Sequence, residues 1–162
     1  MERTDKINYY LDIADTVSER STCIRRHYGA IIVFNDEIIS TGYNGAPRGR
    51  KNCVDLGECT RDKLGIPSGE RYELCRSVHA EANAIISAAR RDCVGATMYL
   101  VGRSAKDLSI LSDTTPCLMC RRFIINSGIK EVVSRTGKEQ KDYTVTNTRD
   151  WVFNDDSFDM IT

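Results

Sequence analysis

The chain has 162 residues, 41% of them apolar, and its 23 basic and 23 acidic side chains cancel. That balance excludes a disordered chain and argues against bulk nucleic-acid binding, though it allows a local basic pocket. No apolar run approaches the roughly 18 residues of a membrane-spanning helix, and the length gives a single domain as the expectation.

The start, Met1-Glu2-Arg3-Thr4-Asp5, lacks a basic-then-apolar leader, so a cytoplasmic protein with reduced thiols is expected. Ile7, Tyr10, Leu11, Ala14 and Val17 recur at helical spacing between Asp5 and Glu19, with Thr4 or Asp5 as the cap. Tyr28 to Phe34 reads as a strand covered on both faces. Asn35-Asp36 turns it into a second strand, Glu37 to Gly42. Gly42 to Gly49 is a glycine-rich loop. Residues 50–76 show no sustained period, and a stretch that long requires something to organise it. Val78 to Arg91 reads as one helix, Thr97 to Val101 as a strand, and Pro116 opens a helix that Gly128 ends. A last strand lies within Ile129 to Ser134. The alternation implies parallel pairing in a three-layer sheet. After Thr136 the tail is polar, with Trp151, Val152 and Phe153 as an apolar anchor.

The chemistry concentrates at two helix starts, His79-Ala80-Glu81 and Pro116-Cys117-Leu118-Met119-Cys120. Cys117 and Cys120 are three apart and share a helical face, and His79 adds a third donor. Three ligands leave one tetrahedral position open, which is the arrangement of a catalytic zinc. Two thiolates and a neutral imidazole balance the dication, and helix N-termini favour thiolates. Glu81, two residues beyond His79, stands where it can carry protons for a metal-activated water.

His-x-Glu followed by Pro-Cys-x-x-Cys is the signature of zinc-dependent nucleobase deaminases. Over about Cys23 to Ser134 the sequence resembles the deoxycytidylate (dCMP) deaminases. The likeness rests on Gly29-Ala30-Ile31-Ile32-Val33, on Ser40 to Pro47 with its Gly-Tyr-Asn-Gly, and on His79 to Ile85. It continues through Gly95 to Tyr99, Pro116 to Cys120 and Ile124 to Ile129. The resemblance implies a three-layer α/β/α fold of the cytidine-deaminase type, with a mixed sheet of about five strands. It implies hydrolysis of dCMP to dUMP and ammonia, feeding thymidylate synthesis. Glu81 would shuttle the protons, the Ala80 N–H would hold the cytosine 2-oxo group, and Asn44 would touch sugar or base. The Thr115 carbonyl would accept from the leaving amine. Arg25, Arg26, Arg48, Arg50 and Lys51 flank the expected pocket, with Arg26 the candidate substrate contact. Arg121 and Arg122 follow the zinc cysteines, one toward the pocket and the other toward water. Many relatives are hexamers activated by dCTP and inhibited by dTTP. That implies a homo-oligomer, effector contacts around Gly42, Gly45 and Arg48, and magnesium with a triphosphate effector. No nucleic-acid or membrane partner is expected. A tRNA-adenosine type of deaminase and a non-catalytic zinc module stand as alternatives, and the sequence leaves dCMP, dCTP and a modified cytosine open.

Cys23, Cys53, Cys59 and Cys75 border or lie in the unpatterned stretch, and a four-thiolate structural zinc would cross-link it. Some phage relatives carry a second zinc, and Cys23 and Cys53 match two of its ligand positions; Cys59 and Cys75 depart from the ligand types there. Cys93 reads as a small buried residue and His27 as a packed or hydrogen-bonded one.

Overall fold

Alternation decides the layers. The computed structural model describes residues 1–140 and 142–154, so the end of the expected tail lies outside the described residues. Along β1 (Arg26–Phe34), Ala30 and Ile32 turn to one face of the sheet and Ile31 and Val33 to the other. β3 (Thr97–Ser104) does the same, with Met98 and Leu100 on one side and Tyr99 and Val101 on the other. Both strands lie inside the sheet with both faces covered, which is why they read as unbroken apolar runs.

The first face receives α4 (Ala80–Ile86) and α6 (Leu118–Ser127), through Ala80, Ala84 and Ile124. The second receives α1 (Lys6–Ser18), through Tyr10, Leu11 and Ala14. Asp5 caps α1, its carboxylate accepting from the Asn8 N–H at 3.0 Å.

β1 and β2 (Glu37–Tyr43) form the expected hairpin; both turn residues, Asn35 and Asp36, have positive φ as a type I′ turn requires. The sheet adds β4 (Glu131–Arg135) and β5 (Tyr143–Asn147) in the order β2-β1-β3-β4-β5. Only β3 and β4 pair in parallel; the other three pairings are antiparallel, so the sheet is mixed. The fifth strand falls in what reads from sequence as a polar tail. Its side chains are half-buried or exposed, as suits an edge strand with little apolar signal. Beyond it α7 (Thr148–Phe153) seats Trp151 against the core, under the Arg121 guanidinium at 5.2 Å, so that part of the anchor is as expected. Phe153 is exposed.

The expected long helix from Val78 is two. α4 stops at Ser87, and α5 (Arg90–Cys93) starts afresh after an extended Ala89. The break turns Cys93 into the core, where it is fully buried, so packing overrides a strong local propensity. Residues 50–76 fold into two single turns, α2 (Cys53–Leu56) and α3 (Thr60–Lys63), and a 3-10 turn at Tyr72–Leu74. No helix among the described residues is long and apolar enough to cross a membrane.

α4 lies unusually close to β2. A Cβ at Gly42 would stand 2.3 Å from both the Ala80 carbonyl oxygen and the Ala84 nitrogen, which are backbone atoms of α4. Ser40 Oγ donates to the Ala84 carbonyl at 2.7 Å, and Asn83 Nδ2 donates to the Tyr43 carbonyl at 2.8 Å, so the contact is fastened on both sides. Gly42→Ala should therefore destabilise the fold by about 3 kcal/mol, because neither backbone can yield cheaply. Urea denaturation of the two proteins checks this; an unchanged midpoint would contradict the close seat.

Candidate active site

His79 and Cys117 occupy equivalent places, each the N-cap residue of its helix, with extended backbone (ψ of 154° and 166°). Because α4 and α6 share one face of the sheet, their starts meet. Cys120, one turn inside α6, is fully buried. His79 Nδ1 lies 3.5 Å from Cys117 Sγ and 3.4 Å from Cys120 Sγ, and all three donor atoms fall within 4.8 Å of one another. Zinc–sulfur and zinc–nitrogen bonds in a tetrahedron give a nitrogen–sulfur edge of about 3.6 Å. The donors present therefore fit a zinc ion held by one imidazole and two thiolates.

The electrostatics agree. Hydrogen bonding from Cys120, and then from His79, holds the Cys117 thiol well below its usual range, while Cys120 is raised by its bond to Cys117 and by burial. Burial opposes a charged His79, but hydrogen bonds to Cys117 and Cys75 outweigh it and push the imidazole up to about 10. Glu81 lies outside the mutually close donor set. It is 6% exposed, and burial raises its carboxyl, with the His79 charge acting against that rise.

A cavity opens onto His79, Glu81 and Cys117, and the structure brings most of the expected residues to its wall. Asn44 is there, with its amide already engaged: Oδ1 accepts from the Tyr28 N–H at 2.8 Å and from Ser21 Oγ, and Nδ2 donates to the Arg26 carbonyl. Thr115 lies on the wall, and Ala80 is buried at the start of α4. Arg26 lines it too, donating to the Tyr28 hydroxyl at 3.3 Å and pairing with Asp113 at 3.6 Å. Arg25 lines it and pairs with Asp62 at 3.2 Å.

Other expected residues have different surroundings. Gly42 is a strand residue pressed against α4. Gly45 forms an isolated antiparallel bridge to Val78, just ahead of His79. Arg48 is exposed and is not on the cavity wall. His27 is hydrogen-bonded to the Cys23 carbonyl at 2.9 Å, as expected of a packed histidine.

Cys23, Cys59 and Cys75 line the same cavity, and Cys53 is buried beside them. Burial raises the Cys53 thiol, and neighbouring charge on Cys23, Cys75 and Cys59 raises it further. The quartet is thus gathered on one side of the site, but it does not form a second mutually close donor set among the described residues. Cys75 instead reaches toward His79.

Sequence reasoning missed Arg61, Tyr72 and Tyr28. Tyr72 meets the His79 imidazole edge-on, with ring centroids 5.1 Å apart, and Arg61 lies over the Tyr72 ring at 4.6 Å. For Arg61 and Tyr72 the signal was the long unpatterned stretch itself, which places them among its cysteines.

Residues 4–136 match the family described as the cytidine and deoxycytidylate deaminase zinc-binding region. The chain is 34% identical over 139 residues to a deoxycytidylate deaminase of Schizosaccharomyces pombe, covering 86% of this chain and 39% of that protein. The chain thus spans well under half of that relative's length. It is 37% identical over 138 residues to a deoxycytidylate deaminase of Mycobacterium phage D29, covering 82% of this chain and 96% of that one. The fold is similar to the crystal structure of dCMP deaminase from the cyanophage S-TIM5 in complex with dCMP and dUMP. That match has a TM-score of 0.57 at 24% identity and covers 85% of this chain and 86% of that one.

The donor geometry has a direct consequence for metal binding. Cys120→Ser should lower bound zinc by one equivalent per chain, read by elemental analysis of purified protein. Zinc content equal to that of the parent protein would show that the three donors do not hold the ion.

Proposed function

The chain belongs to the cytidine and deoxycytidylate deaminase family, and on that footing we propose that it hydrolyses dCMP to dUMP and ammonia. The observation that carries the reading is the convergence of His79, Cys117 and Cys120, at 3.4 and 3.5 Å, beside a buried Glu81 on the wall of one cavity.

His79, Cys117 and Cys120 would hold a zinc ion, which would supply the Lewis acidity that activates water near neutral pH. The protein does the rest. Glu81 takes a proton from the attacking water and delivers it to ring nitrogen 3 as oxygen bonds to carbon 4. It then passes the second proton to the amino group, the carbon–nitrogen bond breaks, and ammonia leaves a 4-oxo ring. A carboxyl raised by burial suits that exchange, since it holds a proton more readily than an ordinary carboxylate does. The Ala80 N–H, at the positive start of α4, holds the 2-oxo oxygen. The Thr115 carbonyl receives the departing amine. Asn44, fixed by Tyr28 and Arg26, sets the wall beside the sugar.

A structural zinc on Cys23, Cys53, Cys59 and Cys75 belongs to the same reading, supported by the gathering of the four thiols around one side of the cavity. The reading also places the reaction in pyrimidine deoxynucleotide metabolism, with dCTP and dTTP as effectors and a homo-oligomer as the assembly.

Zinc-loaded protein should convert dCMP to dUMP with release of ammonia, followed by ultraviolet absorbance, with dCTP and magnesium included. Absence of product would overturn the reading. Glu81→Gln should lower turnover by about 1,000-fold with zinc content unchanged; loss of zinc in that variant would instead make Glu81 a ligand. Two zinc ions per chain are expected in the parent protein. A single ion that is unaffected by Cys59→Ser would reject the structural site.

A further inference from the structure

We propose that Tyr28 is the wall against carbon 5 of the pyrimidine, so that the site favours a cytosine nucleotide with hydrogen there over one that carries a methyl group. The inference rests on the deaminase reading, and deepens it by assigning a residue that sets the substrate class.

Tyr28 lies on β1 and lines the cavity that holds His79 and Glu81. It is fastened at both ends. Its N–H donates to Asn44 Oδ1 at 2.8 Å. Its hydroxyl accepts from Arg26 Nη1 at 3.3 Å, and Arg26 is in turn paired with Asp113 at 3.6 Å. Between these ends the ring covers Gly102, its partner across the pairing of β1 and β3. A Cβ at Gly102 would stand 2.5 Å from Tyr28 Cε1 and 2.9 Å from Cδ1, so the glycine makes room for the ring. The ring thus has strand backbone behind it and no space to retreat.

The order of groups around the base tells which part of it the ring meets. On the deaminase reading the 2-oxo group meets the Ala80 N–H, ring nitrogen 3 meets Glu81, and the amine on carbon 4 meets the Thr115 carbonyl. The sugar, on ring nitrogen 1, lies by Asn44. Between the amine and the sugar, the perimeter of the base consists of carbons 5 and 6. Tyr28 bridges the matching interval of the wall. At one end the Thr114 Oγ1, next to Thr115 in sequence, stands 2.7 Å from the same Gly102 Cβ position that the ring crowds. At the other end the Tyr28 N–H holds Asn44. Hydrogen on carbon 5 fits beside a ring fixed in this way. A methyl group there would press the ring against the Gly102 backbone, and overpacking of that kind is unfavourable.

A Tyr28 that only filled the space over Gly102 would treat both substrates alike, so substrate choice separates the two roles. The parent protein should deaminate dCMP with a kcat/KM about 10- to 100-fold above that for 5-methyl-dCMP. Tyr28→Val opens the wall and should bring the two substrates within about 3-fold of each other, whatever its effect on dCMP itself. Tyr28→Phe keeps the ring and should keep the preference. Equal use of the two substrates by the parent protein would overturn the proposal, and so would a preference that survives in Tyr28→Val. Loss of the preference in Tyr28→Phe would assign the selection to the hydroxyl and overturn the ring as the wall.

Binding keeps the test independent of turnover. By titration calorimetry, the parent protein should bind dUMP about 10-fold or more tightly than its 5-methyl form, dTMP, and Tyr28→Val should remove that difference. If this Tyr28-dependent difference is present and dCMP is not deaminated, the deaminase reading fails and the wall stands. If dCMP is deaminated but dUMP and dTMP bind the parent protein alike, the wall fails and the deaminase reading stands. Failure of the parent protein to bind dUMP would overturn both. Should Tyr28→Val not fold, Tyr28→Leu replaces the ring with a smaller apolar side chain and carries the same expectation; an undiminished preference in that variant would refute the wall.

Discussion

The seat of α4 against β2 is the contact on which the site depends. Gly42 lets the two backbones approach to a distance that no side chain would permit, and Ser40 and Asn83 fasten them there. With α4 fixed in all directions, its first turn is fixed as well. Gly45 and Val78 extend the attachment one step before the helix through a pair of backbone hydrogen bonds. His79 therefore leaves the sheet at a set height and angle. α6 reaches the same place by another route, carried by the connection between the parallel strands β3 and β4. Two independent attachments bring a nitrogen and two sulfurs to within 4.8 Å, although 38 residues separate His79 from Cys117.

Charge then follows from position. Both helices present unpaired N–H groups at the point where the donors gather, which favours ionised sulfur. A tight cluster of two thiols and an imidazole is a donor set suited to one dication, whose binding must displace the protons the groups share. Glu81 is drawn under the same layer by the helix that carries His79. Its burial raises its affinity for a proton, while the neighbouring positive charge keeps that rise in check. On the proposed reading, the same short helix presents a metal ligand at its cap, a backbone donor at its first residue and a proton carrier at its second.

Periodicity and motif spacing revealed the layers and the donors because each is a local property. Asp5, the Asn35-Asp36 turn and Gly128 mark ends that the structure keeps, and His79, Cys117 and Cys120 converge because two helix starts are legible as such. The parts that were not legible depend on distant partners. Ala, Ile and Arg around residue 88 favour a helix, and the chain breaks it to bury Cys93. β5 has few apolar residues because an edge strand needs few, and it is specified by β4 rather than by its own pattern. Gly42 looks like a loop glycine until α4 is placed against it. Arg61 and Tyr72 carry no motif, and their place on the cavity wall follows only from how an irregular stretch winds back over His79.

That stretch is held by something other than a hydrophobic core. Between residues 50 and 76 the two buried side chains are Cys53 and Arg61, while Val54, Leu56 and Leu64 are exposed. Apolar burial therefore contributes little to its order. Polar groups fasten it: Arg61 to two carbonyls, Arg76 Nε to the Lys51 carbonyl at 2.6 Å, and the gathered thiols. Segments held by few apolar contacts lie at the low end of local stability. A ligand that binds the ordered form then stabilises it by mass action. The wall of the cavity nearest the imidazole is built from such a segment, so a ligand bound against it stabilises the wall as well as itself. Occupation of the cavity and order in residues 50–76 are, on this argument, one linked equilibrium.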